Sequence, residues 1–226
     1  QEVEQICTGI GMNTTITGNA DTFRAKYGIT EPFLIYAGRK DSGKNVHTLL
    51  QYFAEYKKRN PGDPLQLVLI GGGKLAVPAS VQEAVHDLGY VSQQDKYDAL
   101  RAALFLCQPS KNESFSLVIM ESWLCGRPVL VHSGCAVTKD FAQRAEGGLY
   151  FNSYFEFEGC VRWLEKHGKQ HEPEEHHLYL YDRNETVAVP EFHTGKVKHS
   201  PEHEEQGEVI HYDNVAIPEI HLPHKK

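Results

Sequence analysis

Two glutamates, Glu113 and Glu121, lie eight residues apart in the segment from Pro109 to Gly126, between two short apolar runs. The runs, 104–107 and 128–131, indicate buried strands, so the segment between them predicts a polar turn followed by one helix. Glu113 precedes this helix, and Glu121 lies about two turns into it. The free N–H groups at such a helix start favour an anion, typically a phosphate. A carboxylate beside a phosphate is suited to accepting hydrogen bonds from sugar hydroxyls, so the segment indicates a nucleotide-type ligand.

Each glutamate taken alone also has a simpler interpretation. Glu121 could be an exposed helix residue, and Glu113 could be a charge favoured by the helix dipole. Met120 and Trp123, on the same predicted helix, are most simply packing residues.

A second charged segment directly follows the apolar run 33–37 and contains Arg39 and Lys44. A guanidinium offers a planar fork and an ammonium a point charge, and this combination suits a diphosphate. A solvated basic loop is the alternative. This alternative is less favoured, because both charged segments are expected at the same edge of one sheet.

That edge is predicted from the alternation of short apolar runs with amphipathic stretches. The predicted strands are 33–37, 65–70, 89–91, 104–107, 128–131 and 149–151, and the predicted helices are 46–56, 81–87, 96–103, the segment after Glu113, 138–145 and 154–166. This pattern predicts an α/β fold with a Rossmann-like parallel sheet and helices on both faces, plus an irregular or β-containing C-terminal tail. Ligands bind such sheets beyond the carboxyl ends of the strands. Gly71–Gly73 either touches that ligand or simply ends a strand.

Charge separates the chain into unequal regions. Residues 1–166 carry 17 Lys or Arg against 18 Asp or Glu, whereas residues 167–226 carry 6 against 12 and hold ten of the thirteen histidines. We therefore predict a linker-like N-terminal segment at 1–21, a Rossmann-like domain at 22–166 and an acidic, His-rich tail at 167–226.

The tail contains a weak internal repeat with an offset of 28 residues, in which Val187–His193 recurs as Val215–His221. The two Val-Ala runs, each followed by proline, indicate extended edge strands or docking segments. A mobile acidic linker is the alternative. The spacings of the tail histidines fit no firm metal-ligand template.

Composition excludes several classes of protein. The net charge of -7 argues against a general nucleic-acid binder, and no apolar run approaches the roughly 20 residues that a membrane span needs. The five cysteines are scattered without a C-x-x-C pair, which predicts reduced thiols in a cytoplasmic protein and no metal site or disulfide framework.

The segment Glu113-Ser-Phe-Ser-Leu-Val-Ile-Met-Glu121-Ser-Trp-Leu-Cys-Gly126-Arg-Pro-Val resembles the E-x7-E region of the retaining group 1 glycosyltransferases, which have two Rossmann-like domains in a GT-B fold. Arg39 and Lys44 are similar to the Arg-x4-Lys pair of that family. Leu88-Gly-Tyr-Val-Ser92 is similar to its Leu-Gly-x-Val-Ser element. These elements follow the family's order within residues 22–166.

The resemblance implies a role for each matched residue. Arg39 and Lys44 would neutralise the diphosphate of a nucleotide-sugar donor and the charge that develops on it, so that no metal or other cofactor is needed. Glu113 would contact the donor sugar, and Glu121 the ribose. The remaining implied donor-binding residues are Tyr90 and Val91 against the base, Ser114 where the sugar approaches, Phe115, and the backbone N–H groups of Ser116 and Leu117 on the phosphates.

The chain departs from the family pattern at three positions. Ser114 and Ser116 replace the two glycines of the family's Glu-Gly-Phe-Gly, and Asn45 replaces the glycine that usually follows the lysine. Ser114 adds a side chain where the donor sugar would approach.

The resemblance also implies a missing partner, the N-terminal Rossmann-like domain that binds the acceptor. Residues 1–21 are too few to form it, so this chain alone is expected to bind a nucleotide diphosphate weakly and to catalyse little. Peripheral membrane association through that domain is left open.

The expected function is therefore the donor-binding domain of a retaining glycosyltransferase that transfers a hexose from a nucleotide diphosphate sugar. The alternative is a non-catalytic, degenerate transferase domain that acts as a scaffold, with its tail binding a protein partner. A different phosphate-binding Rossmann enzyme is disfavoured, because no G-x-G-x-x-G opens the first strand-helix turn.

Overall fold

A computed structural model describes residues 10–11, 15–167 and 215–216 of the chain. Within these residues the strands are β1 (Ile10–Gly11), β2 (Phe33–Ala37), β3 (Gln66–Ile70), β4 (Val85–Gly89), β5 (Phe105–Gln108), β6 (Val129–His132), β7 (Gly148–Phe151) and β8 (Val215–Ala216). The α-helices of the same residues are α1 (Ala20–Tyr27), α2 (Val46–Arg59), α3 (Gln93–Ala102), α4 (Leu117–Leu124), α5 (Ala136–Arg144) and α6 (Tyr154–His167). Two short 3-10 helices cover Ser42–Lys44 and Ala79–Ala84.

Six of the strands form one parallel sheet in the order β4-β3-β2-β5-β6-β7. The chain starts in the middle at β2, adds β3 and β4 on one side, and then returns to place β5, β6 and β7 on the other. The strand order therefore reverses between β2 and β5, as in doubly wound sheets. The predicted Rossmann-like α/β fold is confirmed for residues 33–151.

Both faces of the sheet are covered by helices, because alternate residues of each strand point to opposite sides. On β2, Leu34 and Tyr36 belong to the core that α2 and α6 cover, whereas Phe33, Ile35 and Ala37 belong to the core that α1, α3 and α4 cover. These strand residues are almost entirely buried. This two-sided burial explains why the central strands read as continuous apolar runs.

Most predicted elements are confirmed within a few residues of their bounds, and two regions differ. The predicted helix at 81–87 and strand at 89–91 are wrong, since this stretch forms the 3-10 helix Ala79–Ala84 followed by β4. As an edge strand, β4 has the sequence Val-His-Asp-Leu-Gly, which lacks the apolar run of a central strand. Helix α1 was not predicted, because Phe23 is its one buried residue. It begins after Asn19, whose side chain accepts a hydrogen bond from the Thr22 N–H.

The chain divides into two units, residues 16–172 and residues 1–15 with 173–226. In the second unit, β1 pairs antiparallel with β8, and Ile10 lies opposite Ala216. The extended conformation predicted for the later Val-Ala run is thus confirmed at Val215–Ala216. The earlier run at 187–189, the tail histidines and the remainder of the repeat lie outside the described residues.

The predicted packing and thiol roles fit the observed burial. The Trp123 Nε1 donates to the Gly147 carbonyl at 2.8 Å, and Met120 packs against the core. Cys107, Cys125 and Cys135 are buried free thiols. No helix among the described residues is long and apolar enough to cross a membrane.

Candidate functional site

The two predicted charged segments meet at the reversal in strand order. Strands β2 and β5 are neighbours in the sheet, and the loops that leave their carboxyl ends carry Lys44 and Glu113. The Lys44 Nζ lies 2.7 Å from one Glu113 carboxylate oxygen and 2.9 Å from the other. Ligands of doubly wound sheets bind at this position. We name the group formed by Arg39, Lys44, Glu113 and the start of α4 the switch-point site.

The loop after β2 is held by the loop after β3. The Gly38 N–H donates to the Ile70 carbonyl at 2.9 Å, and the Lys40 N–H donates to the Gly72 carbonyl at 2.7 Å. Gly71 has a φ of 118°, and a Cβ on it would lie 2.1 Å from the Gly38 oxygen. Glycine is therefore required at 71 by the approach of the protein's own backbone.

The two predicted diphosphate-binding cations differ in their surroundings. The Arg39 side chain is 74% exposed and lies 3.5 Å from the Asp41 carboxylate. The Lys44 side chain is 24% exposed and is paired with Glu113, which is 10% exposed. Asp41 begins the 3-10 helix that carries Lys44, because its Oδ1 accepts from the Lys44 N–H at 3.1 Å. The site thus holds one largely exposed cation in a loose ion pair and one partly buried cation in a close ion pair.

Asn45 explains how the chain does without the glycine that the family pattern has after the lysine. Its backbone is left-handed, with a φ of 58°, and asparagine tolerates this region better than most residues. The buried side-chain amide donates to the Pro109 carbonyl at 3.0 Å, while its oxygen accepts from the Thr48 hydroxyl at 2.7 Å. Asn45 thereby ties the loop of Lys44 to the loop of Glu113.

The two serines that replace the family's glycines directly precede α4. Ser116 has a φ of 70°, makes no capping hydrogen bond with its side chain, and has a buried hydroxyl without a partner among the described residues. Ser114 and Leu117 are exposed. The Phe115 ring packs edge-to-face against Phe141, with centroids 5.3 Å apart. Ser116 thus occupies a position suited to glycine. Helix α4 begins directly after it, in the connection that leaves the carboxyl end of β5.

Glu121 is paired with a lysine other than the two predicted phosphate-binding cations. The Lys96 Nζ is 2.5 Å from Glu121 Oε1, and the two side chains are 25% and 13% exposed. Lys96 was not singled out from the sequence. A signal was present, because Ser92 and Asp95 cap each other at the start of α3 and thereby place Lys96 in its first turn.

The predicted base-binding residues follow β4 at the same edge of the sheet. Tyr90 is 85% exposed, and its hydroxyl lies so close to Gly72 that a Cβ there would be 2.2 Å away. Val91 is partly buried and packs against the core beneath. An exposed ring at this edge offers a flat surface on which a planar group could stack.

Two further buried charged or titratable groups at this edge were missed. Lys40 is buried and paired with Asp87, so it serves the fold. His132 ends β6, and its Nδ1 accepts from the Gly134 N–H at 2.9 Å, which leaves the proton of the neutral ring on Nε2. Burial lowers the pKa of His132, and the charge of Lys111 lowers it further. The ring is therefore held neutral.

Comparisons with known proteins place the chain in a family. Residues 19–184 match the family described as Glycosyl transferases group 1. The chain is 30% identical over 142 residues to the D-inositol 3-phosphate glycosyltransferase of Rhodococcus erythropolis, covering 57% of this chain and 32% of that protein. It thus spans about a third of the length of that curated relative.

Solved structures share the fold at lower identity. WaaG, a glycosyltransferase involved in lipopolysaccharide biosynthesis, matches with a TM-score of 0.61 and 21% identity over 72% of this chain and 47% of its own. Anabaena HepE in complex with UDP-glucose matches with a TM-score of 0.57 and 17% identity over 71% of this chain and 48% of its own. Because the family match covers well over half of the sequence, the chain belongs to the group 1 glycosyl transferases.

Proposed function

We propose that this chain is the nucleotide-sugar donor-binding domain of a retaining glycosyltransferase that transfers a hexose from a nucleotide diphosphate sugar. The observation that carries the proposal is the contact between Lys44 and Glu113 across the reversal in strand order. It brings a lysine suited to binding phosphate and a glutamate suited to binding hydroxyl groups to the position where doubly wound sheets bind nucleotides.

The diphosphate has three kinds of partner in this proposal. Arg39, which is largely exposed, supplies a planar fork for two phosphate oxygens. Lys44 leaves Glu113 for the phosphates and stabilises the charge that builds up as the sugar departs. The N–H groups of Ser116 and Leu117 face the same anion from the start of α4. These cationic and dipolar groups take the role that a metal ion would otherwise fill, so no cofactor is required.

The sugar, ribose and base of the donor contact the remaining residues at the carboxyl-end edge of the sheet. Glu113, once released by Lys44, accepts hydrogen bonds from the donor sugar, beside Ser114 and Phe115. Glu121 accepts from the ribose hydroxyls. The base lies against Tyr90 and Val91. The acceptor is bound by a second Rossmann-like domain, in keeping with curated relatives about three times as long as the matched part.

Calorimetric titration of the full chain with UDP, GDP and ADP tests the proposal. One of the three should bind, and Arg39→Ala combined with Lys44→Ala should abolish that binding. The matched control is Lys58→Ala combined with Arg144→Ala, which removes the same charges from two surface ion pairs. The control should bind like the wild type. A folded wild-type chain that binds none of the three nucleotides would contradict the proposal.

A further inference from the structure

Glu121 is a partly buried carboxylate on α4, the helix whose start is proposed to bind the diphosphate. Without a partner such a carboxylate would be costly to desolvate. Lys96 removes this penalty, because its Nζ lies 2.5 Å from Glu121 Oε1. An ammonium occupies one of about four acceptor positions on a carboxylate. Glu121 can therefore be neutralised by Lys96 and still accept hydrogen bonds from two hydroxyl groups.

The ion pair is not what holds α3 against α4. At the C-terminal ends of the two helices the Arg101 guanidinium donates to the Cys125 carbonyl at 3.0 Å. The Arg127 side chain returns two hydrogen bonds to the Arg101 carbonyl, at 3.0 and 2.8 Å. Tyr97 and Ile119 add buried apolar contact. Because these contacts already fix the two helices, the Lys96–Glu121 pair is available for another role.

The first turn of α3, which carries Lys96, is held in place by a chain of contacts. The Ser92 side chain caps the helix at the Asp95 N–H. The Asp95 carboxylate is in turn paired with Lys26 on α1 at 2.6 Å. A long lysine side chain loses much rotamer freedom when it is fixed, and a rigid helix start reduces the additional ordering that a ligand must impose.

We propose that Lys96 is a positioning residue, which holds the Glu121 carboxylate neutralised and fixed for the two hydroxyls of the nucleotide's ribose. The inference rests on the proposed function and adds to it a residue that sets the preference for ribose over deoxyribose. Lys96 acts through Glu121. Its loss should therefore weaken the hydroxyl contacts selectively and leave the contacts to the phosphates and base largely in place.

The test compares each nucleoside diphosphate with its 2′-deoxy form in the wild type and in Lys96→Met. The probes are UDP, GDP and ADP with dUDP, dGDP and dADP, titrated into the full chain. Hydrogen bonds to charged groups should give the wild type a ribose preference of about tenfold or more. In Lys96→Met the preference should fall to within about threefold, mainly through weaker binding of the ribonucleotide. Lys96→Arg, which keeps a cation, should restore part of it.

Two controls separate positioning from general structure. Lys58→Met breaks an ion pair outside α3, the one with Glu55 on α2, and should keep the full ribose preference. Glu121→Gln should lose the preference, and adding Lys96→Met to it should change the ratio no further. Equal weakening of ribonucleotide and deoxyribonucleotide in Lys96→Met, or an unchanged ratio, would overturn this inference alone. Absence of binding to every nucleotide by the folded wild type would overturn the proposed function as well.

Discussion

The side-chain amide of Asn45 donates a 3.0 Å hydrogen bond to the Pro109 carbonyl, and this bond joins the loops on either side of the reversal in strand order. The residue before it, Lys44, pairs with Glu113 four residues beyond Pro109. The two loops are therefore joined by a neutral hydrogen bond and by an ion pair. The hydrogen bond is buried, whereas the ion pair is partly exposed to solvent.

Asn45 should be more costly to replace by alanine than by glycine. Either change removes the bonds to Pro109 and Thr48, which costs about 1–3 kcal/mol for buried partners left unpaired. Alanine must also adopt the left-handed backbone, which adds about 1 kcal/mol, whereas glycine adopts it freely. Urea unfolding of Asn45→Gly and Asn45→Ala measures the difference. Equal stability of the two variants would show that the backbone conformation carries no penalty.

Ser116→Gly should stabilise the domain, by about 1 kcal/mol. The substitution relieves a left-handed serine and removes a buried hydroxyl that has no partner among the described residues. Ser114→Gly is the matched control. Ser114 is exposed and has no positive φ, so glycine there only increases the entropy of the unfolded chain and should destabilise by about 0.5 kcal/mol. Thermal melts of both variants test the opposite signs, and a destabilising Ser116→Gly would refute this account.

Gly71→Ala should disrupt the edge where the β2 and β3 loops meet. The new methyl group would lie 2.1 Å from the Gly38 oxygen, on a backbone that non-glycine residues avoid. A loss of about 2 kcal/mol or more is expected, since both overpacking and backbone strain contribute. Gly62→Ala is the control, because a Cβ at Gly62 meets nothing within 4 Å. Chemical denaturation should leave that variant within about 0.5 kcal/mol of the wild type.

Glu165 should make the domain less stable as the pH rises from acid to neutral. Burial raises the pKa of Glu165, and the nearby Asp63 charge raises it further. The folded state therefore binds this proton more tightly than the unfolded state. The resulting stability is complete below the unfolded pKa and is lost as the pH rises through the folded pKa.

The geometry supports that direction. The Tyr56 hydroxyl contacts Asp63 and lies 3.0 Å from Glu165, but it has only one proton to donate. Glu165→Gln keeps an acceptor for it and stays neutral at every pH. Thermal melts should show a higher Tm than wild type at pH 7 and little difference near pH 4. Glu83→Gln, which removes an exposed carboxylate, is the control. A lower Tm for Glu165→Gln at pH 7 would contradict the assignment.

The central sheet could be predicted from the sequence because two-sided burial leaves continuous apolar runs such as 33–37 and 128–131. The bounds of edge strand β4 and the presence of helix α1 were not predicted, because each element buries too few apolar side chains to produce a periodic apolar pattern in the sequence. The placement of Lys44 and Glu113 at one edge of the sheet also followed from the sequence, because parallel strands bring their carboxyl ends to one edge, but their ion pair did not. The contacts made by Asn45 and Lys96 could not be predicted. They depend on side-chain conformations and on distances between loops and helices far apart in the chain.

Because Glu113 already occupies Lys44, an anion arriving at this ammonium takes part in an exchange of counter-ions. Its gain in free energy is the difference between two ion pairs, and the displaced carboxylate must find new donors. A singly charged anion that offers one oxygen gains little binding free energy from this exchange. A diphosphate brings more charge and several oxygens, and the hydroxyls attached to it could satisfy the released Glu113. The proposed site is therefore expected to discriminate against the abundant small anions of the cell and to favour a ligand that carries both phosphate and hydroxyl groups.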